Sequence, residues 1–362
     1  MKKKFCLIFG TRPEIIKMAP FIHEAIKRKI NFFVIHTGQH YSEVMDKVFW
    51  ENLELPDPKY NLGVGSGSHA EQVGKMMIET EKVLQVEKPD YVCVYADLNS
   101  SIAGALTAAK MGISIVQLEA GLRSFDRAMP EEVNRLVVDR LAQYFFAPTE
   151  LQHQHLLAEG ISQNIFVVGN LIADVIAKNL SKALDSSAIM GYLALTPKNY
   201  FLMTTHRPAV VDKKEVFSKI FTAVGRVANE FNLPVIYPIH PRSRKNLENF
   251  SLIVPTDVRL IDPLGYFDFL TLSANAKLIL SDSGGIQEEA AIMRVPLVTL
   301  RENTERQETL TLGSNILAGF EPIAILEKTQ EMLERPANWQ HPYGENVAKK
   351  MWDVLERAAS IN

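Results

Sequence analysis

Leu280-Ser281-Asp282-Ser283-Gly284-Gly285-Ile286-Gln287-Glu288-Glu289 reads as the end of an apolar strand, a turn of small residues and the opening of a helix. A turn of this kind lets backbone amides approach an anion closely, and the first-turn amides of the helix add to the same site. Ser283, Gly284 and Gly285 are therefore a candidate phosphate cradle, with Glu289 one turn further in, where a carboxylate can accept ribose hydroxyls. Helix stability alone would also select small residues in the turn and acids answering the helix dipole. The strand-to-helix step itself is half of a βαβ unit, and it recurs on both sides of this segment.

Apolar runs at 5–10, 32–37, 91–97, 113–119, 144–148 and 165–169 alternate with helix-like segments near 14–29, 42–53, 68–86, 99–111, 130–142 and 149–159. After a polar stretch at 182–199 the alternation resumes, with strands at 200–205, 235–239, 259–261, 277–281 and 296–300 and helices near 213–230, 284–293 and 346–359. Connections of that length suit parallel crossovers. The expected class is α/β, with two doubly wound Rossmann-like domains whose boundary falls within 172–199. Ligands of open α/β sheets sit beyond the carboxyl ends of the strands, and a two-domain version places the ligand in a central cleft.

The 362 residues carry 39 Lys+Arg against 42 Asp+Glu, a net charge of −3, which argues against a nucleic-acid partner. No apolar run reaches the roughly 20 residues of a membrane span, so no membrane partner is expected. Two cysteines, Cys6 and Cys93, lie in strand-like runs; they exclude a disulfide framework and fit a cytoplasmic protein. There is neither a G-x-G-x-x-G following a strand nor a G-x-x-x-x-G-K-[ST], which removes the dinucleotide and Walker fingerprints. Gly63-Val64-Gly65-Ser66-Gly67 lacks the required spacing and is read as a mobile loop.

The residues that end the strands carry the chemistry. The first run leads into Gly10-Thr11-Arg12-Pro13-Glu14, a helix start where Arg12 and Lys17 flank a candidate anion site. Asp97 and Glu119 follow apolar strands, where an acid is costly to bury unless it is paired or functional. Asp97 could also cap the helix after it, whereas Glu119 precedes a loop. Pro130-Glu131-Glu132 is a favourable helix start in its own right, and Glu131 is singled out because it joins Asp97 and Glu119 as a third carboxylate. In the second half His206-Arg207 and His240-Pro241-Arg242 end strands with paired His and Arg, which favours anion binding. His153 and His155, two apart on a helix, point to different faces, and no metal is expected. A nucleoside-diphosphate site beside clustered carboxylates implies sugar-nucleotide chemistry.

Taken together, Gly10–Glu14, Thr37-Gly38-Gln39-His40, Glu119-Ala120-Gly121-Leu122-Arg123-Ser124, 130–135, 282–289 and Thr304-Glu305-Arg306 resemble the non-hydrolysing UDP-N-acetylglucosamine 2-epimerases. The resemblance implies the GT-B fold, with an N-terminal domain at 1–172, a nucleotide-binding domain at 173–345, and a C-terminal helix within 346–362 crossing back to the first. It implies inversion at C2 of a UDP-N-acetylhexosamine for polysaccharide precursor synthesis, without a cofactor, in a homodimer. By position, Asp97, Glu119 and Glu131 resemble the catalytic carboxylates and His206 their partner. Ser283, Gly284 and Gly285 would hold the diphosphate and Glu289 the ribose. Arg12, Lys17, Arg207 and Arg306 would gather at the nucleotide, and Arg135 would lie near the sugar. Gln39, His40 and His240 resemble positions that bind a second, activating nucleotide sugar. The family's usual Gly-Asp-Thr is Ala96-Asp97-Leu98 here, and its His-Arg-x-Glu-Asn is His206-Arg207-Pro208-Ala209-Val210. Both departures bear on the sugar's substituents, so the alternatives are a 2-epimerase for a diacetamido-glucuronate nucleotide or a nucleotide-sugar binding protein without turnover.

Overall fold

The structure, a computed structural model, describes residues 3–38, 50, 53–95 and 97–361. The chain forms two compact units, Met1–Val175 with Pro342–Asn362, and Ile176–His341.

In the first unit the strands are β1 (Lys4–Phe9), β2 (Asn31–His36), β3 (Tyr60–Asn61), β4 (Tyr91–Val94), β5 (Ser114–Gln117), β6 (Tyr144–Ala147) and β7 (Ile165–Val167). They form one parallel sheet in the order β3-β2-β1-β4-β5-β6-β7. Both faces of this sheet are covered, so its central strands are apolar throughout, as buried parallel strands must be. Phe5, Leu7 and Phe9 of β1 point into one core with Ile15, Met18 and Ile22, while Cys6 and Ile8 point into the other with Ala105, Ala108 and Val138. The C-terminal helix Val347–Ile361 belongs to the first of these cores. Its Trp352 stacks on Phe21 at 4.4 Å, meets Phe5 edge-on and donates Nε1–H to the Phe21 carbonyl at 2.9 Å. Asp174 accepts from the first amides of that helix, Val347 and Ala348, at 3.0 and 2.8 Å.

The second unit repeats the plan with β8 (Phe201–Thr204), β9 (Val235–Pro238), β10 (Val258–Ile261), β11 (Leu278–Ser281), β12 (Leu297–Thr299) and β13 (Asn315–Leu317), again parallel, in the order β10-β9-β8-β11-β12-β13. In both sheets the order reverses next to the first strand: β1 neighbours β2 and β4, and β8 neighbours β9 and β11. Consecutive crossovers leave opposite faces at that point and open a crevice beyond the carboxyl ends. The site residues to look for therefore follow β1 and β4 in one unit and β8 and β11 in the other.

The structure adds elements that periodicity did not reveal. β3 and β13 are edge strands of two and three residues, too short to show alternation. Leu171–Ser186 is a helix that runs through much of the expected boundary region, and Pro322–Glu334 is another that opens with Pro at its first turn. Gly63-Val64-Gly65, read as a mobile loop, is tied down: the Val64 and Gly65 amides donate to the Thr37 and Gly38 carbonyls at 3.1 and 2.8 Å. The helix expected near 42–53 falls largely outside the described residues.

Candidate active site

The turn after β1 is filled from within. Glu14 reaches back across the first turn of helix Arg12–Lys27, where its Oε2 accepts from the Gly10 and Thr11 amides at 2.8 and 2.9 Å. Its Oε1 accepts from Ser100 Oγ at 2.9 Å, which ties this turn to the helix Asn99–Lys110 beyond β4. Burial pushes the Glu14 carboxyl up to about 7 against the pull of those hydrogen bonds. The amides that the sequence offers to an external anion are thus engaged by the protein's own carboxyl group. Arg12 remains at the helix start, half-buried.

Lys17, one turn on, faces Glu119 instead, with Nζ 3.3 Å from Oε1. Glu119 follows β5 and is 1% exposed. The same oxygen accepts from Tyr95 Oη at 3.1 Å and from Asn170 Nδ2 at 2.7 Å. Lys17 also lies over the Tyr95 ring, 5.5 Å from its centroid. Three donors on one oxygen fix the carboxylate's orientation. Tyr95 and Asn170 are the functional neighbours that sequence reading missed. Their signal was positional, since each closes a strand: Tyr95 follows β4, and Asn170 follows Gly169 after β7. Gly169 has φ 104°, and a Cβ there would fall 2.1 Å from the Tyr343 carbonyl, so only glycine lets Asn170 reach its place.

Asp97 lies just beyond β4 and pairs with Arg135. Arg135 is 1% exposed and also lies against Glu132, with Nε and Nη2 at 2.9 and 2.7 Å from Oε2. Glu132 further accepts from the Ser124 amide and hydroxyl and from the Phe125 amide. Burial opposes its charge, but the Ser124 amide and Arg135 hold its carboxyl below the usual range. The structure therefore brings Asp97 and Arg135 into one network and Lys17 and Glu119 into another. Glu131 stands half-buried in the first turn of helix Pro130–Leu141.

In the second unit Asp282, fully buried beyond β11, holds the backbone beyond the neighbouring β8. The amides of His206 and Arg207 donate to its Oδ2 at 2.9 and 2.8 Å, and His206 Nδ1 lies 3.5 Å from Oδ1. The buried acid thus orients a half-exposed imidazole. His240 caps the helix Pro241–Asn249, and its ring lies 6.2 Å from that of His206. Ser283 precedes the helix Gly284–Met293, whose first-turn amides point to this same end. A Cβ on Gly284 would sit 2.2 Å from Glu305 Oε1, so the glycine is what admits Glu305. Glu305 accepts from Arg207 Nη2 at 3.2 Å and Arg301 Nη2 at 2.8 Å, while Arg306 pairs with Glu288 at 2.7 Å. Glu289 lies half-buried one turn into the helix. Gln39 and His40 lie outside the described residues. Among the described residues no group of three or more His, Cys, Asp or Glu side chains is placed to hold a metal ion, and no helix is long and apolar enough to cross a membrane.

Glu305 yields a pH prediction. Burial opposes its charge, but Arg207, Arg301 and Arg306 together hold its carboxyl well below the ordinary value of 4.5. In acid the unfolded chain therefore takes up this proton more readily than the folded one. The stabilisation is complete above about pH 4.5 and is lost as pH falls toward the folded value. Urea unfolding of the Glu305→Gln variant should show lower stability than the parent at pH 7 and a shallower loss between pH 5 and pH 3, ranges set by the carboxylate pKa at roughly 4. An identical acid profile in both proteins would remove Glu305 from this role.

The family model described as UDP-N-acetylglucosamine 2-epimerase matches residues 24–356. A UDP-N-acetylglucosamine 2-epimerase of Methanococcus maripaludis is 49% identical over 355 residues, covering 96% of this chain and 96% of its own. The UDP-2,3-diacetamido-2,3-dideoxy-D-glucuronate 2-epimerase of Pseudomonas aeruginosa is 36% identical over 339 residues, 91% of this chain and 92% of that one. Among solved structures, the Methanocaldococcus jannaschii UDP-GlcNAc 2-epimerase in complex with UDP-GlcNAc and UDP matches with a TM-score of 0.92 at 46% identity, covering 99% of this chain and 100% of that one. The fold and its strand-end clusters place the protein in the GT-B class, with two Rossmann-like domains. Within that class, the chain belongs to the UDP-N-acetylglucosamine 2-epimerase family.

Proposed function

We propose that this protein is a non-hydrolysing epimerase that inverts C2 of a UDP-N-acetylhexosamine, interconverting UDP-GlcNAc and UDP-ManNAc. H2 is not adjacent to a carbonyl, so direct deprotonation is unfavourable. Elimination avoids the difficulty: the C1–O bond breaks with its electrons leaving on UDP, and a base takes the C2 proton. In the return step UDP re-forms the bond to C1 while a proton is delivered to C2 from the opposite face. The sum is redox-neutral, and each turnover exposes the C2 position to solvent protons.

Glu119 is the observation that carries this reading: a buried strand-end carboxylate, paired with Lys17 and oriented by Tyr95 and Asn170. It is assigned with Asp97 and Glu131 to proton transfer, and His206, oriented by Asp282 in the second unit, is assigned to acid–base work as well. Ser283, Gly284 and Gly285, flanked by Arg207 and Arg306, are assigned to the diphosphate that carries the leaving charge. Glu289 is assigned to the ribose and Arg12 to the nucleotide. Arg135 holds Asp97, and Lys17 holds Glu119, at the sugar end. His240, with Gln39 and His40, is assigned to a second nucleotide sugar, and the assembly to a homodimer. The 36% relative acting on a diacetamido-glucuronate nucleotide, together with Ala96-Asp97-Leu98, supports that nucleotide as the second substrate to test.

Incubation with UDP-GlcNAc in D2O should place deuterium at C2 and produce the ManNAc nucleotide. Release of free ManNAc and UDP as the main products would point to hydrolysis instead. The absence of exchange with both UDP-GlcNAc and the diacetamido-glucuronate nucleotide, alongside tight binding, would reduce the protein to a nucleotide-sugar binder.

A further inference from the structure

Phe125 is a residue whose placement folding does not explain. Its ring is 66% exposed, and its φ of 59° lies in the left-handed region that a bulky side chain adopts only at a cost. Lys88, Asn232 and Arg294 are left-handed too, but each closes a helix as its C-cap, where that conformation is usual. Phe125 closes no helix. It stands between β5 and the helix Pro130–Leu141, where glycine or asparagine would suit the backbone better.

Glu132 holds it there. The Phe125 amide donates to Glu132 Oε1 at 2.9 Å, and the Ser124 amide and hydroxyl donate to Oε2 at 2.9 and 3.1 Å. Arg135, the partner of Asp97, lies against the same carboxylate. One buried group therefore fixes the strained aromatic residue and the counter-charge of Asp97 in a common frame. His155 braces the ring edge-on, with centroids 5.4 Å apart, and is itself anchored at 2.9 Å to the Gly121 carbonyl. Strain that the surroundings actively maintain, on an exposed aromatic residue whose amide shares Glu132 with the counter-charge of Asp97, is characteristic of a ligand-contacting position.

We propose that Phe125 is a specificity-determining residue whose ring forms an apolar platform for the C–H face of the N-acetylated sugar, next to Asp97. The inference rests on the epimerase reading above. The ring face is electron-rich and attracts the polarised C–H groups of a pyranose, the part of the substrate that UDP lacks.

The test uses the full chain with Phe125→Asn and Phe125→Gly, both compatible with the left-handed backbone, and with Phe125→Tyr, which keeps the ring. Deuterium incorporation at C2 of UDP-GlcNAc, UDP binding, melting temperature and oligomeric state are measured for each. The Asn and Gly variants should show a KM for UDP-GlcNAc raised about 10-fold, with UDP affinity unchanged and a melting temperature equal to or above the parent's because the left-handed backbone is relieved, and the Tyr variant should match the parent. Parental KM and kcat in both the Asn and Gly variants would overturn the platform. So would a changed oligomeric state with parental kinetics, which would assign the ring to a subunit interface. A parent that exchanges no C2 proton in either nucleotide sugar defeats the epimerase reading and this inference with it. An active parent beside unaffected variants defeats the platform alone.

Discussion

Glu119→Gln is expected to slow deuterium incorporation at C2 by about 10²–10⁴-fold, the usual worth of a positioned acid or base, while UDP binds as before. The substitution keeps the shape and a carbonyl oxygen that can accept from Asn170 and Tyr95. It removes the negative charge opposite Lys17 and the ability to exchange a proton. The Ser283–Gly285 turn belongs to the second unit, and UDP affinity reports it separately. A variant that exchanges at the parental rate would exclude Glu119 from proton transfer. A variant that loses UDP affinity and folded stability together would show the carboxylate to be structural.

Arg135→Met should lower the stability of the first unit by about 3–5 kcal/mol, the range for breaking a buried ion pair from one side. Methionine replaces the stem but leaves Glu132 buried with only the Ser124 and Phe125 donors, and leaves Asp97 without its cation. Arg135→Lys should recover only part of the loss. A single ammonium cannot place Nε and Nη2 on Glu132 and a third nitrogen on Asp97, as the planar guanidinium does. Both variants should also lose C2 exchange, because Asp97 loses the partner that fixes its position and charge. Urea unfolding midpoints within error of the parent for Arg135→Met would contradict the network.

Much of the plan was legible locally. The uninterrupted apolar runs of β1 and β8, and the helix opened by Pro130, are properties of a few adjacent residues. The strand ends at Asp97, Glu119, His206 and Ser283 could be located for the same reason. Glu132 shows where local reading stops. In sequence it is a first-turn acid that answers the helix dipole, equivalent to Glu131 beside it. In the structure it takes five hydrogen bonds from Ser124, Phe125 and Arg135, because only its position faces inward on that turn. Glu14 likewise sits in the first turn of a helix, yet it also reaches Ser100 across the switch point, 86 positions away.

The sequence by itself determined the α/β class, the alternation of strands and helices, and the glycine turn at 283–285. These depend on backbone propensity and on the periodicity of short segments. Tertiary structure alone decided which charges meet: Lys17 with Glu119, 102 residues apart, and Arg207 with Glu305, 98 apart. It also recruited Tyr95, Asn170 and Asp282 as the groups that orient the site. The physical reason is strand order. Placing β4 beside β1, and β11 beside β8, brings together residues that no local pattern relates, and in the buried crevices so formed each charge needs a partner.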